Sequence, residues 1–210
     1  MSIERKTKPV GLLGCNCSIV YDTENKTAII VDPGGDAELL IQFCEERELK
    51  IEKIVITHGH FDHVLAANAI KEKTGAVIYL HEEDRWLYEN VDKQGEMFGF
   101  EIEKIGTFDE TLDHQQEHCC GDITLETLHT PGHSPGSACF HLESEKILFA
   151  GDTLFAGAVG RSDIWKGSHE QLVGSIKTHL LPLDEATVVV PGHGPETTIR
   201  KEIESNPFLT

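Results

Sequence analysis

The run Thr57-His58-Gly59-His60-Phe61-Asp62-His63 constrains this chain more than any other segment, and it directly follows the β-branched stretch from Lys53 to Ile56. Four potential metal-ligand side chains fall within six positions. With 12 His in 210 residues, an H-x-H-x-D-H pattern arises from composition alone with a probability of about 0.2 per cent. If a strand ends here and Gly59 lets the backbone turn sharply, His58 and His60 point into one hollow while Asp62 and His63 face its other side. Imidazole together with carboxylate suits zinc, manganese or iron. Four adjacent donors cannot surround one tetrahedral ion without strain, so the spacing favours two ions about 3.5 to 4 Å apart.

A two-ion site needs more donors downstream, and three occur in turn-like settings. They are His133 in Thr130-Pro131-Gly132-His133-Ser134-Pro135-Gly136, Asp152 in Ala150-Gly151-Asp152-Thr153, and His193 in Val190-Pro191-Gly192-His193-Gly194-Pro195. Each ends a strand-like segment, with Gly or Pro beside it to hold the turn and let the backbone approach an ion.

The H-x-H-x-D-H run, then the P-G-H, G-D-T and P-G-H-G loops in this order, resemble the metallo-β-lactamase superfamily. Within it the chain is most similar to glyoxalase II (hydroxyacylglutathione hydrolase) in its small single-domain bacterial form. The likeness runs from Val31-Asp32-Pro33-Gly34-Gly35 to Asn206-Pro207-Phe208-Leu209. It implies an α/β fold, a four-layer αββα sandwich with the ions in a cleft where strand ends meet. It further implies that one ion takes His58, His60 and His133, that the second takes Asp62, His63 and His193, and that Asp152 bridges both. Asp32 would orient the ligand groups from behind. The cofactors expected are two divalent ions, zinc in the first place, with iron and manganese as alternatives.

Strand-like runs near residues 18–20, 27–32, 53–57, 76–80, 123–128, 138–141, 146–150 and 187–190 alternate with helical patterns. Asp36 is expected to cap a helix over 37–48, a second helix to follow His63 through Lys73, a short one to begin near Glu83, and Ser168 to cap one through His179. Residues 91–117 read as an irregular connection between two halves of one domain spanning 1–210, with no added C-terminal helical domain. Pro131-Gly132-His133 and Pro191-Gly192-His193 form a weak internal echo that hints at two similar halves.

The remaining histidines, His81, His114, His118, His129, His141, His169 and His179, lack this company and read as surface or satisfied core residues. His118-Cys119-Cys120 has no second Cys/His pair at zinc-finger spacing. The six cysteines read as structural thiols of a reducing compartment. No signal-peptide pattern or apolar run of spanning length occurs, so a cytoplasmic location is expected. The formal net charge of −18 repels phosphate backbones and anionic lipid surfaces. The partner is therefore expected to be a small molecule, with no nucleic acid and no membrane, for a monomer or small homo-oligomer.

Two cations that lower the pKa of a shared water toward about 7 point to hydrolysis. Asp62 and Asp152 are the expected catalytic carboxylates, with Asp62 helping to position the water and accept its proton. A thioester leaves as a thiolate and does not need the strong general acid that an amide requires, so a 2-hydroxyacyl thioester such as lactoylglutathione is the leading substrate. The alternatives are a single-iron persulfide dioxygenase and a lactonase or other ester hydrolase. Phe155, Arg161 and Lys166, in the segment after Asp152, are the expected substrate contacts, the two cations serving as anion contacts.

Overall fold

Alternation along the second strand decides the layering. Ile19 and Tyr21 belong to one apolar cluster while Val20, between them, belongs to another, because successive side chains of a strand face opposite sides of the sheet. The computed structural model describes residues 2–209. A first sheet contains β1 (Ile3–Val10), β2 (Cys15–Asp22), β3 (Thr27–Val31), β4 (Lys50–Val55), β5 (Val77–Leu80) and β6 (Glu110–Thr111), in that spatial order. A second sheet starts with β7 (Glu117–Cys120), β8 (Ile123–His129), β9 (Ala138–Leu142) and β10 (Ile147–Gly151). A small ribbon of β11 (Leu154–Phe155) and β12 (Ala158–Val159) follows, and β13 (Val188–Pro191) and β14 (Thr197–Thr198) complete the second sheet in the order β14-β13-β10-β9-β8-β7.

Val20, Ile29, Val31 and Val55 of the first sheet meet Leu125, Phe140, Phe149 and Val190 of the second in the central apolar layer. Ile19, Ile30, Ile54 and Ile78 face outward under the helices α1 (Ala37–Glu45) and α3 (Ala67–Thr74). On the far side Cys139, Leu148, Ala150 and Val189 are covered by α6 (His169–Ser175), a π-helical turn Ile176–Leu180, and α7 (Ile199–Ser205). The result is a mixed α/β molecule with two sheets face to face and helices outside both, the architecture the family resemblance implied.

The two sheets share a pattern. In the first, β1, β2 and β3 pair antiparallel and β4 joins β3 in parallel. In the second, β8, β9 and β10 pair antiparallel and β13 joins β10 in parallel. Asp32 and Asp152 thus follow equivalent strands, as do His58 and His193. The Pro-Gly-His echo does not carry this correspondence, because both of its loops leave strands of the second sheet.

Several local expectations are corrected. Asp36 precedes α1 at φ 53 and makes no side-chain cap; its Oδ2 instead accepts from the Gly11 N–H at 3.0 Å. That helix ends at Glu45 rather than at residue 48. The helix read from His63 through Lys73 is two helices, since α2 (Phe61–Val64) already holds Asp62 and His63. The break follows from the Ala66 N–H donating to the Pro33 carbonyl at 2.9 Å instead of continuing the helical ladder. The short helix near Glu83 is a 3₁₀ turn leading into α4 (Arg85–Glu89). The connection 91–117 is partly ordered as α5 (Val91–Phe98), where Gly95 lets the Ile102 side chain lie against the helix. Ser168 does cap α6, its Oγ accepting from the Gln171 N–H at 3.3 Å. Among the described residues, no helix is long and apolar enough to cross a membrane.

Candidate metal centre

The strand ends converge because each sheet sends its loops to the same edge of the sandwich. β4 leads through Thr57 to His58 and His60, β8 leads to His133, β10 to Asp152 and β13 to His193. At the edge where β10 and β13 run in parallel the register shifts between Phe149 and Gly151, a bulge that re-aims the following residue. Gly192 is required there, since a Cβ on it would overlap the Asp152 carboxylate.

Two groups of donors result. The ligand nitrogens of His58, His60 and His133 lie within 4.8 Å of one another, with His133 Nε2 only 3.0 Å from His60 Nδ1. Asp62, His63 and His193 form the second trio within the same limit, with His193 Nε2 3.1 Å from Asp62 Oδ2. Asp152 lies between them: its Oδ1 is 3.6 Å from His63 Nε2 and 3.9 Å from His193 Nε2, while its Oδ2 is 3.7 Å from His133 Nε2. One carboxylate oxygen thus faces each trio.

The fit to cations is tested by what the protein leaves unpaired. Nε2 of His58, Nε2 of His63 and Oδ1 of Asp152 are buried with no hydrogen-bond partner among the described residues. Such groups are costly in a native interior unless something binds them. His58 and His63 are fully buried. Burial and neighbouring imidazoles push His58 and His60 well below the ordinary histidine range, so both present neutral lone pairs. Burial also opposes ionisation of Asp62, but His63 and His193 outweigh it and hold the carboxyl below its usual range. The hydrogen bond to Asp62 raises His193. Burial pulls His63 down, yet Cys15, Asp62 and Asp32 together raise it well above its ordinary value. Crowded nitrogens, anionic carboxylates and unpaired buried atoms are the donor chemistry of a site for divalent cations.

Behind the donors lie Asp32, which the family likeness marked as an orienting carboxylate, and residues that the sequence motifs did not mark. Asp32, at φ 50, accepts from the Thr57 N–H at 2.7 Å and the Thr57 hydroxyl at 2.6 Å, and its Oδ2 is 3.0 Å from His63 Nδ1. A non-glycine residue held in the left-handed region is strained, and here three polar contacts hold it. Cys15 Sγ approaches the same His63 nitrogen at 3.4 Å, and burial pushes its thiol up to about 12. Asp84, wholly buried, accepts from Gly59 N–H (2.8 Å), Ser134 Oγ (2.6 Å) and Gly136 N–H (2.7 Å). It therefore clasps the loop of His58 and His60 to the loop of His133. Gln94 accepts from the Phe61 N–H and donates to the Gly59 carbonyl. Asn16 holds the last loop, its backbone N–H donating to Gly192 O at 2.7 Å and its amide to Pro191 O and Gly194 O, each at 2.9 Å. These residues are far from the motifs in sequence. Asp84 is followed directly by Arg85, so its sequence setting reads as an ordinary charged surface and carries no signal of its role.

The donors open on a cleft of about 160 Å³ rimmed by Leu13, Phe98, Ile164 and Trp165. Arg161 lines it, but its guanidinium is held by Asp163 in a bidentate pair at 2.9 and 3.0 Å, and its carbonyl accepts from His133 Nδ1 at 2.7 Å. Lys166 does not line the cleft but a neighbouring pocket. Phe155, on the β11-β12 ribbon, lines neither. His118 is buried against Tyr79 and bonded to Thr127 at 3.0 Å, Cys119 is exposed, and Cys120 is buried, so the three do not converge on a soft-metal site.

Residues 10–193 match the family model of the metallo-beta-lactamase superfamily. The chain belongs to this superfamily. As a member it is a metal-dependent hydrolase. It is 42% identical over 205 residues to the hydroxyacylglutathione hydrolase GloC of Haemophilus influenzae, covering 96% of this chain and 95% of that protein. Among solved superfamily structures, the BLEG-1 B3 metallo-beta-lactamase superposes with a TM-score of 0.91 at 38% identity, over 99% of this chain and 100% of that one. TTHA1623, crystallised in a di-iron-bound form, superposes with a TM-score of 0.87 at 35% identity, over 97% and 100%.

Proposed function

We propose that this protein hydrolyses 2-hydroxyacyl thioesters of the lactoylglutathione type at a centre of two divalent ions. His58, His60 and His133 would hold one ion and Asp62, His63 and His193 the other, with Asp152 shared; zinc, iron and manganese all suit the donors. The observation that carries the reading is the placement of Asp152, whose two oxygens face different trios. Two cations bound there supply Lewis acidity to a carbonyl oxygen and a water of lowered pKa.

The chain's own residues do the rest. His58 and His60 stay neutral and donate lone pairs. Asp62, kept ionised by its histidine neighbours, would orient the attacking water as a hydrogen-bond acceptor. Leu13, Phe98 and Ile164 shield the cleft from bulk water. Among the described residues that line the cleft, none outside the donor set is a carboxylic acid, lysine or histidine able to protonate a leaving amine. A thiolate leaves without one, because a thiol's pKa of about 8.5 is near neutrality. Because donors come from loops of both sheets, residues 1–210 act as one catalytic domain on this reading. A one-iron persulfide dioxygenase would leave Asp62, His63 and His193 without a role.

The experiment is metal analysis of the protein coupled to a panel of lactoylglutathione, a lactone, a β-lactam and glutathione persulfide. Preferred turnover of the thioester with two ions per chain supports the reading. Preferred turnover of the lactone or β-lactam replaces the substrate. Oxygen consumption with the persulfide and one iron overturns the reaction class.

A further inference from the structure

Both tryptophans of the chain line a single pocket. It has a volume of about 360 Å³ and is walled by Trp86, Trp165, Leu87 and Pro135, with Glu83 and Lys166 at its edge. The two indoles stand 5.8 Å apart at 45°, and Trp86 leaves 52% of its surface exposed. This pocket adjoins the metal cleft, Trp165 lining both. Its walls are set by the donor loops themselves: Pro135 comes two residues after His133, and Leu87 lies directly against Gly59.

The backbone here is unusual. Trp165 and Lys166 are consecutive non-glycine residues in the left-handed region, at φ 49 and 63. Strain of this kind gathers where a fold positions a binding group. Trp165 Nε1 is buried without a hydrogen-bond partner. Among the described residues Lys166 forms no ion pair, and the Glu83 carboxylate, which forms none at contact distance, lies within 4.8 Å of ring nitrogens of His81 and His129. An apolar slot with one free cation and one carboxylate at its rim suits a ligand with an apolar-sided chain that carries both charges.

We propose that the Trp86–Trp165 pocket is the subsite for the leaving-group arm of the substrate, and that it selects an arm ending in an amino-acid-type zwitterion, its carboxylate at Lys166 and its ammonium at Glu83. The inference rests on the thioester reading above. A lactoyl group is small enough for the 160 Å³ cleft, so the larger thiol arm needs the larger adjoining space. The carboxylate needs a local cation because the chain as a whole is strongly anionic.

The test is a fluorescence titration of the metal-loaded protein with S-methylglutathione, a thioether the enzyme cannot hydrolyse. Both emitting side chains line the pocket, so they report its occupancy. A saturable change is expected. Lys166→Ala should weaken binding about tenfold, as for loss of one charge-assisted contact, and Glu83→Gln several-fold. N-acetyl-S-methylcysteine, which lacks the zwitterion, should bind the unaltered protein at least about tenfold more weakly. Trp86→Ala, at an exposed position, should raise KM for lactoylglutathione by a larger factor than it lowers kcat. Turnover of lactoylglutathione with silent fluorescence and a KM unmoved by Trp86→Ala overturns the subsite and leaves the thioester reading standing. Saturable binding that both charge variants leave untouched overturns the charge assignment. Saturable, Lys166-dependent binding without any thioester turnover upholds the subsite and overturns the thioester reading instead.

Discussion

His63 Nδ1 lies 3.0 Å from Asp32 Oδ2, and its other nitrogen faces Asp62 and Asp152 at 3.8 and 3.6 Å. On the two-ion reading proposed above, one ring nitrogen is reserved for the protein and the other for an ion, which would fix the tautomer of the bound histidine. Asp32→Ala should weaken retention of one ion by about 10- to 100-fold while the His58, His60 and His133 trio keeps the other. Chelator competition followed by metal analysis would show two-phase release in the variant. Equal loss of both ions would mean that Asp32 supports the fold rather than one half of the site.

Asp152→Ala removes the carboxylate that faces both trios. Activity should fall at least about 100-fold, corresponding to about 3 kcal/mol or more of lost stabilisation. His81→Ala, at a stacked pair with His129 outside the cleft, should change it less than about threefold. Steady-state rates at matched metal content decide between them.

Asp84→Ala leaves two backbone N–H groups and the Ser134 hydroxyl without their buried acceptor. A loss of roughly 2–5 kcal/mol of stability is expected from such a network, together with weaker metal retention, because two donor loops lose their common anchor. Urea unfolding and chelator competition measure the two effects separately.

Arg161→Ala should raise KM by less than about fivefold, since an exposed ion pair is worth at most about 1 kcal/mol and its guanidinium is already held by Asp163. The His133 contact survives, being made to the backbone carbonyl. A much larger KM increase in steady-state kinetics would show that the pair opens to meet substrate.

Burial holds the His118 imidazole down to about 4. The unfolded chain protonates this residue near pH 6.5 while the folded one stays neutral, so the unfolded state gains protons between those values. Its contribution is therefore complete above about pH 6.5 and is lost as pH falls toward 4, a change on the order of 2–3 kcal/mol. His118→Gln should flatten that part of the profile. Urea midpoints of both metal-free proteins at pH 7, 6 and 5 check it: the gap between them should change with pH in the sense that favours the variant in acid.

The core strands and the donor loops were legible because each leaves a local trace. β3, β8 and β10 are runs of β-branched or apolar residues, and His58, His133, Asp152 and His193 sit in Gly- and Pro-marked turns at their ends. The N-terminal strand β1 escaped because an edge strand with exposed alternate residues carries Glu4, Lys6 and Lys8 in place of an apolar face. Helix α5 escaped because Gly95, a poor helix former, sits inside it for the sake of a contact with Ile102. Asp84, Gln94 and Asn16 escaped for a different reason: their partners are distant in the chain, and nothing in a linear sequence marks a carboxylate or amide as the clasp of a loop it does not adjoin.

The grip of Asn16 on Gly192, Pro191 and Gly194 sets an order of events during synthesis. The first hairpin emerges from the ribosome long before the loop it anchors, so the histidine of that loop cannot be seated until residues 191–194 have been made. The strands that carry His58, His60, Asp62 and His63 are synthesised early, yet Asp152 and His193 arrive afterwards. On the two-ion reading a nascent chain therefore offers cations only fragments of the site, and full loading waits for the first hairpin to meet the loop after β13.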